Sequence, residues 1–341
     1  MTTLDKSHVT VVTVTYGHRQ NYLELVIQSI LNQGISSIVL VANGVSWDIE
    51  SWVRLFGTSI HLVMLSQNKG SAGGFAVGIQ AATQLPPPLI WLLDDDNQPC
   101  EGSLDKLLKA YAQLTNRHSQ KELAVFGFRK KWYNDRTDFQ KIILQERPSS
   151  FLRFHILDIP NKIRNRTPWK KKIQTALPNY LDQPIKMKHV PYGGLLFHRD
   201  LLASIGLPRE DFVLYVDDAE FTYRITRQGG GIYWITDAEI EDLDFAYKDV
   251  RYKSPFFKHL HPLNPQDILR RYYLLRNFAY FNTYDLKNNV WIYFLNQKIY
   301  LLILWILALK YHRMDQYRLV RKAIQDGLDK NMGISPDYPL S

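Results

Sequence analysis

Three consecutive aspartates, Asp94 to Asp96, follow an apolar run in the stretch IWLLDDDNQP. Adjacent carboxylates repel each other, so the arrangement needs a positive partner. Side chains at i and i+2 of an extended segment share one side, so Asp94 and Asp96 would face one cation while Asp95 points elsewhere. Oxygen ligands suit Mg²⁺ or Mn²⁺, and the ion would take its remaining ligands from phosphate oxygens. The alternative is a solvated acidic turn that caps the next helix.

A second acidic group, Asp217, Asp218 and Glu220, lies in the stretch YVDDAEF. It also begins where an apolar run ends, and a segment with helical spacing follows it. A carboxylate held near an electrophilic carbon can take a proton from an attacking hydroxyl. Acids in the first turn of a helix are the alternative interpretation, and they would account at least for Glu220.

The glycine-rich stretch NKGSAGGFAVG predicts a helix that begins near Gly70. Backbone amides of Asn68, Lys69 and Gly70 precede it, where they could meet an anion. Glycines recur every four residues through Gly74 to Gly78, which favours close packing on a sheet. The stretch follows the third predicted strand, whereas a dinucleotide-binding fingerprint lies in the first strand-to-helix turn.

Four predicted strands alternate with helical segments, which indicates an α/β fold with a sheet flanked by helices. Ligands of such sheets bind outside the carboxyl ends of the strands. The tails of these strands are polar, and we expect them to gather at one edge. The four strands are predicted in the stretches HVTVVTVTY, SSIVLVANG, IHLVMLSQN and LIWLLDDD.

Charge alternates along the chain of 341 residues. The net charge is −2 over residues 1–128, +10 over 129–190, −7 over 191–244 and +8 over 245–341. Residues 129–188 are interpreted as a basic insertion in a catalytic domain that spans 1–244. A basic excess favours an anionic partner, but no nucleic-acid-binding module is recognisable, so no nucleic acid is expected. A single cysteine excludes a disulfide framework within the chain.

The segment 245–341 is predicted to be helical and either to contact a membrane or to form oligomers. Its apolar core, Ile299–Leu309, has eleven residues between two lysines and is too short to cross a bilayer. Apolar residues at helical spacing beside basic ones are typical of a helix that lies at an anionic lipid surface. An internal or homo-oligomer interface is the alternative. The N-terminus has no signal-peptide pattern, so we expect a cytoplasmic protein, with peripheral contact to the inner face of the membrane.

Taken together, these motifs resemble the family 2 glycosyltransferases, which have the GT-A fold. The resemblance rests on VTVTYGHRQNYLELVIQSILNQ, NKGSAGGFAVGI, LLDDDNQP and PYGGLLFHRDLLASIGLPREDFVLYVDDAEFTYRI. RRYYLLRNFAYF and AIQDGLDKNMG add to it near the C-terminus. The pattern is similar to the branch that transfers rhamnose or galactofuranose in bacterial surface polysaccharides such as O-antigen.

The resemblance implies inverting transfer of a sugar from a UDP or dTDP donor to a hydroxyl of a lipid-linked or oligosaccharide acceptor. Asp218 would be the catalytic base, with Asp217 and Glu220 positioning the base or the acceptor. Asp94 and Asp96 would hold Mn²⁺ or Mg²⁺. Donor contacts are implied for Thr15, Tyr16, Arg19, Asn43, Asn68, Lys69, Asp95, Gly193 and Gly194.

One departure from the family pattern concerns the metal. Galactofuranose transferases of this kind usually carry a histidine ligand after the base, but the segment here reads TDAEIEDLDF. Asp242 is predicted to replace it as an oxygen ligand, in preference to His259 or His261. The departure keeps two alternatives open: a non-catalytic glycan-binding scaffold and a sugar nucleotidyltransferase.

Overall fold

The computed structural model describes residues 4–129, 147–160, 183–244, 261–263 and 267–340. The predicted basic insertion lies outside these ranges except at its two ends and in a short segment near residue 150. His259 lies outside them as well.

Nine strands in these ranges form one mixed sheet, in the spatial order β3-β2-β1-β4-β8-β6-β9-β5, with β7 also paired to β9. The four strands β1 to β4 run parallel, as do β6 and β9, whereas β8 is antiparallel to β4 and β6. The strands are β1 (Val9–Gly17), β2 (Ile38–Val45), β3 (Ile60–Leu65), β4 (Leu89–Asp94), β5 (Asn97–Pro99), β6 (Leu123–Arg129), β7 (Ile185–Met187), β8 (Leu195–His198) and β9 (Gly231–Asp242).

Helices cover both faces of the sheet. One core cluster joins the sheet to α1, α2 and α4, and a second joins the opposite face to α3, α5 and α6. The helices are α1 (Gln20–Asn32), α2 (Ile49–Val53), α3 (Gly70–Ala82), α4 (Ser103–Leu114), α5 (Leu202–Ile205), α6 (Asp217–Arg227), α7 (Ile268–Phe281), α8 (Val290–Lys310) and α9 (Met314–Leu328). The predicted α/β architecture, with its helical C-terminal region, is confirmed.

Burial on both faces explains why β1 is rich in β-branched residues. Val11 belongs to the first core cluster and its neighbour Val12 to the second, and neither is exposed. Strands of a parallel sheet that is covered on both sides are rich in valine and isoleucine and do not alternate with exposed polar residues. The register sets Val14 opposite Asp94, and so brings the carboxyl ends of β1 and β4 to one edge as the polar tails predict.

The C-terminal helices form a core of their own. Helices α7, α8 and α9 pack around buried Tyr273, Tyr293 and Ile324. Helix α8 has 21 residues and is, by length and composition, apolar enough to cross a membrane. It begins nine residues before the eleven-residue apolar run, so the run understates the length of the helix.

Gly78 allows α3 to lie close to the sheet. A Cβ atom at this position would be 2.6 Å from Val12 Cγ1 and 2.9 Å from Val41 Cγ2. Both distances are shorter than van der Waals contact, and both neighbours belong to the tightly packed core. The packing role that the glycine spacing predicts is therefore confirmed for Gly78.

We predict that Gly78→Val lowers the free energy of unfolding by about 1–3 kcal/mol, because added methyl groups overpack the interface between α3 and the sheet. Chemical denaturation measures the loss. Gln80→Val introduces the same side chain on the exposed face of α3 and is the matched control. Equal losses in the two variants would mean that helix propensity, and not packing against β1 and β2, determines the effect.

Candidate active site

The acidic stretch forms a turn and not an extended segment. Strand β4 ends at Asp94, residues 95 and 96 turn, and β5 begins at Asn97. The Asn97 side chain fixes the turn, because its Oδ1 accepts a hydrogen bond of 3.1 Å from the Asp94 amide. The expectation that Asp94 and Asp96 share a side through strand alternation is wrong. The turn instead lets β5 pair with β9, which sets Asn97 opposite Asp242.

Four carboxylates meet at this turn: Asp94, Asp95, Asp96 and Asp242, here called the carboxylate cluster. Asn97 links two of them, since its Nδ2 donates to Asp242 Oδ1 at 3.0 Å and to Asp96 Oδ1 at 3.1 Å. Asp95 and Asp242 are almost fully buried, at 3% and 2% exposure. Buried carboxylates without positive partners are costly, so the source of positive charge decides how the cluster is stabilised.

Arg19 supplies part of that charge. Its Nε donates to both oxygens of Asp95 at 2.9 Å, and its Nη1 donates to Asp244 Oδ2 at 2.7 Å. The guanidinium lies over the rings of Tyr16 and Tyr22, at 5.3 and 5.0 Å from their centroids. Arg19 and Asp95 were both predicted to bind the donor, but in the structure their side chains bind each other.

Arg129 supplies further positive charge, and it lies among the predicted metal ligands. Its Nε donates to Asp242 Oδ1 at 2.9 Å, its Nη2 pairs with the same oxygen, and its Nη1 lies 3.4 Å from Asp94 Oδ2. Arg129 is the last residue of the buried strand β6 and is only 5% exposed. The sequence interpretation assigned the positive charge to a metal ion alone, whereas Arg19 and Arg129 already pair with part of the cluster.

The two arginines do not fully compensate the cluster. Burial, reinforced by neighbouring carboxylates, raises the pKa of Asp94 to about 6 and those of Asp95 and Asp96 to about 7. A carboxyl whose pKa is higher in the folded than in the unfolded state favours the fold when protonated. The site therefore loses stability as pH rises through about 6 to 7, unless further positive charge binds.

The donor chemistry of the cluster fits a divalent cation, but Arg129 now contacts two of the carboxylates that would hold one. Asp242 Oδ2 is buried and has no hydrogen-bond partner, which is the kind of oxygen that a cation would satisfy. However, no three His, Cys, Asp or Glu side chains of the described ranges are placed to hold a metal together. Arg129 spans Asp94 and Asp242, so it would have to move before both could bind one ion.

The second acidic group lies beside the first. Burial is the main cause of the raised pKa of Asp94, and the negative charge of Asp218 contributes to it. Asp94 contributes in the same way to the raised pKa of Asp217, for which burial is again the main cause. Asp217 and Asp218 begin α6 and lie 123 residues or more from Asp94 in sequence. The two acidic motifs that the sequence singles out therefore converge on one space.

Residues 10–175 match the family model Glycosyl transferase family 2. The matched range covers β1 to β6, including Asp94, Asp95 and Asp96, while Asp217 and Asp218 lie beyond it. The match agrees with the predicted glycosyltransferase class of enzyme. The rhamnosyl or galactofuranosyl branch stays a prediction.

Solved structures of similar shape include two glycosyltransferases. One is GalNAc-T7 with UDP, GalNAc and Mn²⁺, at 12% identity and a TM-score of 0.48, over 69% of this chain and 42% of that one. The other is TarS 1-349 of S. aureus in complex with UDP, at 12% identity and a TM-score of 0.45, over 82% of this chain and 67% of that one. No curated protein matches the chain by sequence. At 12% identity, neither structure indicates a substrate for this protein.

Within the matched range, several predicted donor-binding side chains bind other protein groups. Thr15 Oγ1 donates to Asp95 Oδ2 at 2.8 Å. Asn43 Oδ1 accepts from the Lys69 amide at 2.8 Å, and Asn68 Oδ1 accepts from the Gly70 amide at 2.9 Å. These two amides therefore already have acceptors, contrary to the expectation that they meet an anion.

The Gly193–Gly194 pair gives room to the protein's own side chains. A Cβ at Gly193 would lie 1.8 Å from Asn97 Oδ1 and 2.8 Å from Asp94 Oδ2. Any larger residue would therefore displace the turn that carries the carboxylate cluster. The sequence interpretation reserved this space for the sugar, but the atoms nearest to Gly193 belong to Asn97 and Asp94.

The structure separates the three acids of the second group. Asp217 Oδ2 accepts from Ser71 Oγ at 2.9 Å, and half-buried Asp218 accepts from the Ala219 amide at 2.7 Å. Glu220 lies 3.2 Å from the Arg224 guanidinium, one helical turn along α6. Glu220 thus has an ion-pair partner within its own helix. Asp217 and Asp218 are the two acids of this group whose charges interact with the carboxylate cluster.

A strained loop, residues 213–216, precedes Asp217 and Asp218 and sets their position. The residue that holds this loop was not predicted from the sequence. Val213, Tyr215 and Val216 all have positive φ, between 66° and 67°, which is unfavourable for non-glycine residues. Asn277 of α7 donates from Nδ2 to the carbonyls of Phe212, Leu214 and Tyr215 at 2.7 to 2.9 Å. In the sequence Asn277 is one polar residue among the aromatic, aliphatic and basic residues of α7, and the structure buries it at 0% exposure.

We predict that Arg129→Met lowers the free energy of unfolding by about 3–5 kcal/mol at pH 8 in the presence of a chelator, because it leaves buried Asp242 without a positive partner. Arg147→Met is the matched control. It removes an ion pair with Asp158 whose arginine side chain is 47% exposed, and should cost about 1 kcal/mol or less. Losses of equal size in the two variants would contradict a stabilising role for Arg129.

Proposed function

We propose that the chain is an inverting glycosyltransferase that moves a sugar from a nucleotide-diphosphate donor to an acceptor hydroxyl. The observation that carries this proposal is the convergence of Asp94 and Asp218, which are 124 residues apart in sequence, with the negative charge of Asp218 helping to raise the pKa of Asp94. One acidic group would sit at the leaving diphosphate and the other at the attacking hydroxyl. Transfer with inversion requires these two functions on opposite sides of one sugar carbon.

Asp218 is the proposed base. Burial raises its pKa, which makes the ionised carboxylate a stronger proton acceptor, as a general base requires. Asp218 accepts a hydrogen bond from the Ala219 amide through Oδ1. Its Oδ2 would take the proton of the acceptor hydroxyl as that oxygen forms its bond to the anomeric carbon and the diphosphate leaves. Asp217, held by Ser71, would position the base.

A divalent cation is proposed to complete the carboxylate cluster. Asp94 and Asp96 would hold it together with Asp242, whose Oδ2 has no hydrogen-bond partner. Such an ion, when bound, stabilises negative charge on a leaving diphosphate. The raised pKa values of Asp94 and Asp96 support a site that gains from added positive charge. Arg129, which contacts Asp94 and Asp242, would have to move for both carboxylates to hold the ion.

The donor proposed is a UDP or dTDP sugar, with galactofuranose or rhamnose as the transferred group. Tyr16 at the end of β1 is 37% exposed, and the Lys69 side chain is 41% exposed, so both can reach a ligand at this edge. An aromatic ring and an ammonium group suit a pyrimidine base and a diphosphate. The acceptor proposed is a lipid-linked glycan or oligosaccharide of a bacterial surface polysaccharide.

A donor panel tests the proposed function. Purified full-length chain is incubated with nucleotide sugars that include UDP-galactofuranose and dTDP-rhamnose, with Mn²⁺ or with excess EDTA, and release of nucleoside diphosphate is measured. We expect release from a UDP or dTDP sugar and its loss in EDTA. Release of inorganic diphosphate would instead indicate a nucleotidyltransferase, and no release from any donor would favour a glycan-binding scaffold. Full activity in EDTA would contradict the proposed requirement for a divalent cation.

We predict that Asp218→Asn lowers turnover about a hundredfold or more, because an amide cannot accept the hydroxyl proton. Donor affinity, measured by calorimetry, should change little, since the base contacts the acceptor. Asp237→Asn removes an exposed carboxylate from β9 and is the matched control. Turnover equal to that of the unsubstituted chain would remove Asp218 from this role.

A further inference from the structure

Helix α8 exposes a broad apolar face. Tyr293, Tyr300 and Leu304 point into the C-terminal core, while Trp291 on the other side is 84% exposed. Contiguous exposed apolar side chains of this extent mark an interaction surface in soluble proteins. The exposed face, here called the α8 face, consists of Trp291, Ile292, Phe294, Leu295, Leu302, Ile303, Trp305, Ile306 and Leu309.

The opposite side of α8 is tied to the protein by polar contacts. Asn296 Nδ2 donates to the Ser149 carbonyl at 2.9 Å, and its Oδ1 accepts from the Ile156 amide at 2.9 Å. The Tyr293 hydroxyl lies 2.5 Å from Thr283 Oγ1. A helix that crossed a bilayer would have to break these buried bonds or carry the whole C-terminal core with it. Although α8 is long enough to span, these contacts hold it along the protein surface.

Charge distinguishes among partners that could cover the α8 face. Lys298 is exposed in the middle of the face, one helical turn from Leu295 and from Leu302. Lys310 ends the helix and Arg313 follows it, both exposed, and no Asp or Glu occurs from Val290 to Lys310. The face therefore combines an apolar surface with uncompensated positive charge.

A second copy of the chain is a poor match for this combination. A twofold contact centred on the α8 face would bring Lys298 against its own symmetry mate, and the face offers no carboxylate to pair with either. A lipid surface avoids the problem. The lysine chain can lie along apolar surface and place its ammonium among phosphates, while Trp291 and Trp305 suit the boundary between headgroups and acyl chains.

We propose that α8 lies flat on an anionic lipid bilayer, with the α8 face in the headgroup–acyl boundary and Lys298, Lys310 and Arg313 at lipid phosphates. The combination of an apolar face and flanking basic residues is that of an interfacial helix. This surface goes beyond the proposed transfer reaction and does not depend on it. It would hold the enzyme where a lipid-linked acceptor is presented, which we place at the inner face of the cell membrane.

Flotation of the full chain with vesicles tests the proposal. One set of vesicles is pure phosphatidylcholine and the other contains phosphatidylglycerol as well. We expect the chain to float with the anionic vesicles and to bind the neutral ones more weakly. The double variant Trp305→Glu, Ile306→Glu should lose at least about tenfold in vesicle affinity, because it places two carboxylates in the contact. Leu55→Glu, at a 78% exposed leucine beside α2, is the matched control.

A charge-only variant keeps the test valid if the glutamate variant fails to fold. Lys298→Gln with Lys310→Gln should weaken binding to anionic vesicles about thirtyfold, since each lysine at an anionic surface contributes roughly fivefold. Lys109→Gln with Lys121→Gln removes two exposed lysines elsewhere and should have no effect. Failure of the chain to bind either vesicle type, or a dimer that Trp305→Glu, Ile306→Glu converts to a monomer, would overturn the proposal.

Discussion

The burial of several carboxylates at one edge of the sheet is the constraint on which the site depends. Asp95 and Asp242 have almost no exposed surface, yet both accept hydrogen bonds from an arginine. Arg19 and Arg129 neutralise part of the negative charge. The remaining excess is seen in carboxyl groups whose pKa values are raised by burial. Further positive charge bound at this edge would therefore stabilise the ionised site.

The first four strands could be predicted from the sequence because each carries its own signal. Apolar and β-branched runs with polar tails predicted β1 to β4 and the edge where their ends meet, and the register of Val14 with Asp94 agrees. The turn at residues 95 and 96 was missed, since three like residues give no sign of where extended backbone ends. The Asn97 side chain fixes the position of this turn, because it accepts a hydrogen bond from the Asp94 amide.

The partners of the acids could not be predicted, because they are remote in sequence. Arg19 and Asp244 lie 225 residues apart, and Arg129 and Asp242 lie 113 apart. Arg129 was grouped with the basic insertion on charge alone, whereas its position at the end of the apolar stretch LAVFGFR indicated burial. The same holds for Glu220, since nothing in the motif that it shares with Asp217 and Asp218 showed that Arg224 would pair with it within α6.

The C-terminal helices take part in the site through the loop that precedes Asp217. Three residues of that loop hold a backbone conformation that costs about 1–3 kcal/mol each. Asn277 of α7 satisfies the carbonyls of Phe212, Leu214 and Tyr215 in the same loop. Arg276 adds a bond to the Phe212 carbonyl at 3.1 Å and another to Gly333. The predicted boundary after residue 244 therefore separates segments that meet again at the acidic pair.

This clamp limits how the fold can be recombined. A chimaera that joined the sheet of this protein to the C-terminal helices of a distant relative would keep every acidic side chain. It would still lose the backbone that aims Asp217 and Asp218, unless the Arg276–Asn277 dipeptide came with the loop it holds. Crossovers between such chains should therefore be tolerated outside the segment from Phe212 to Gly333, which has to be inherited as a unit.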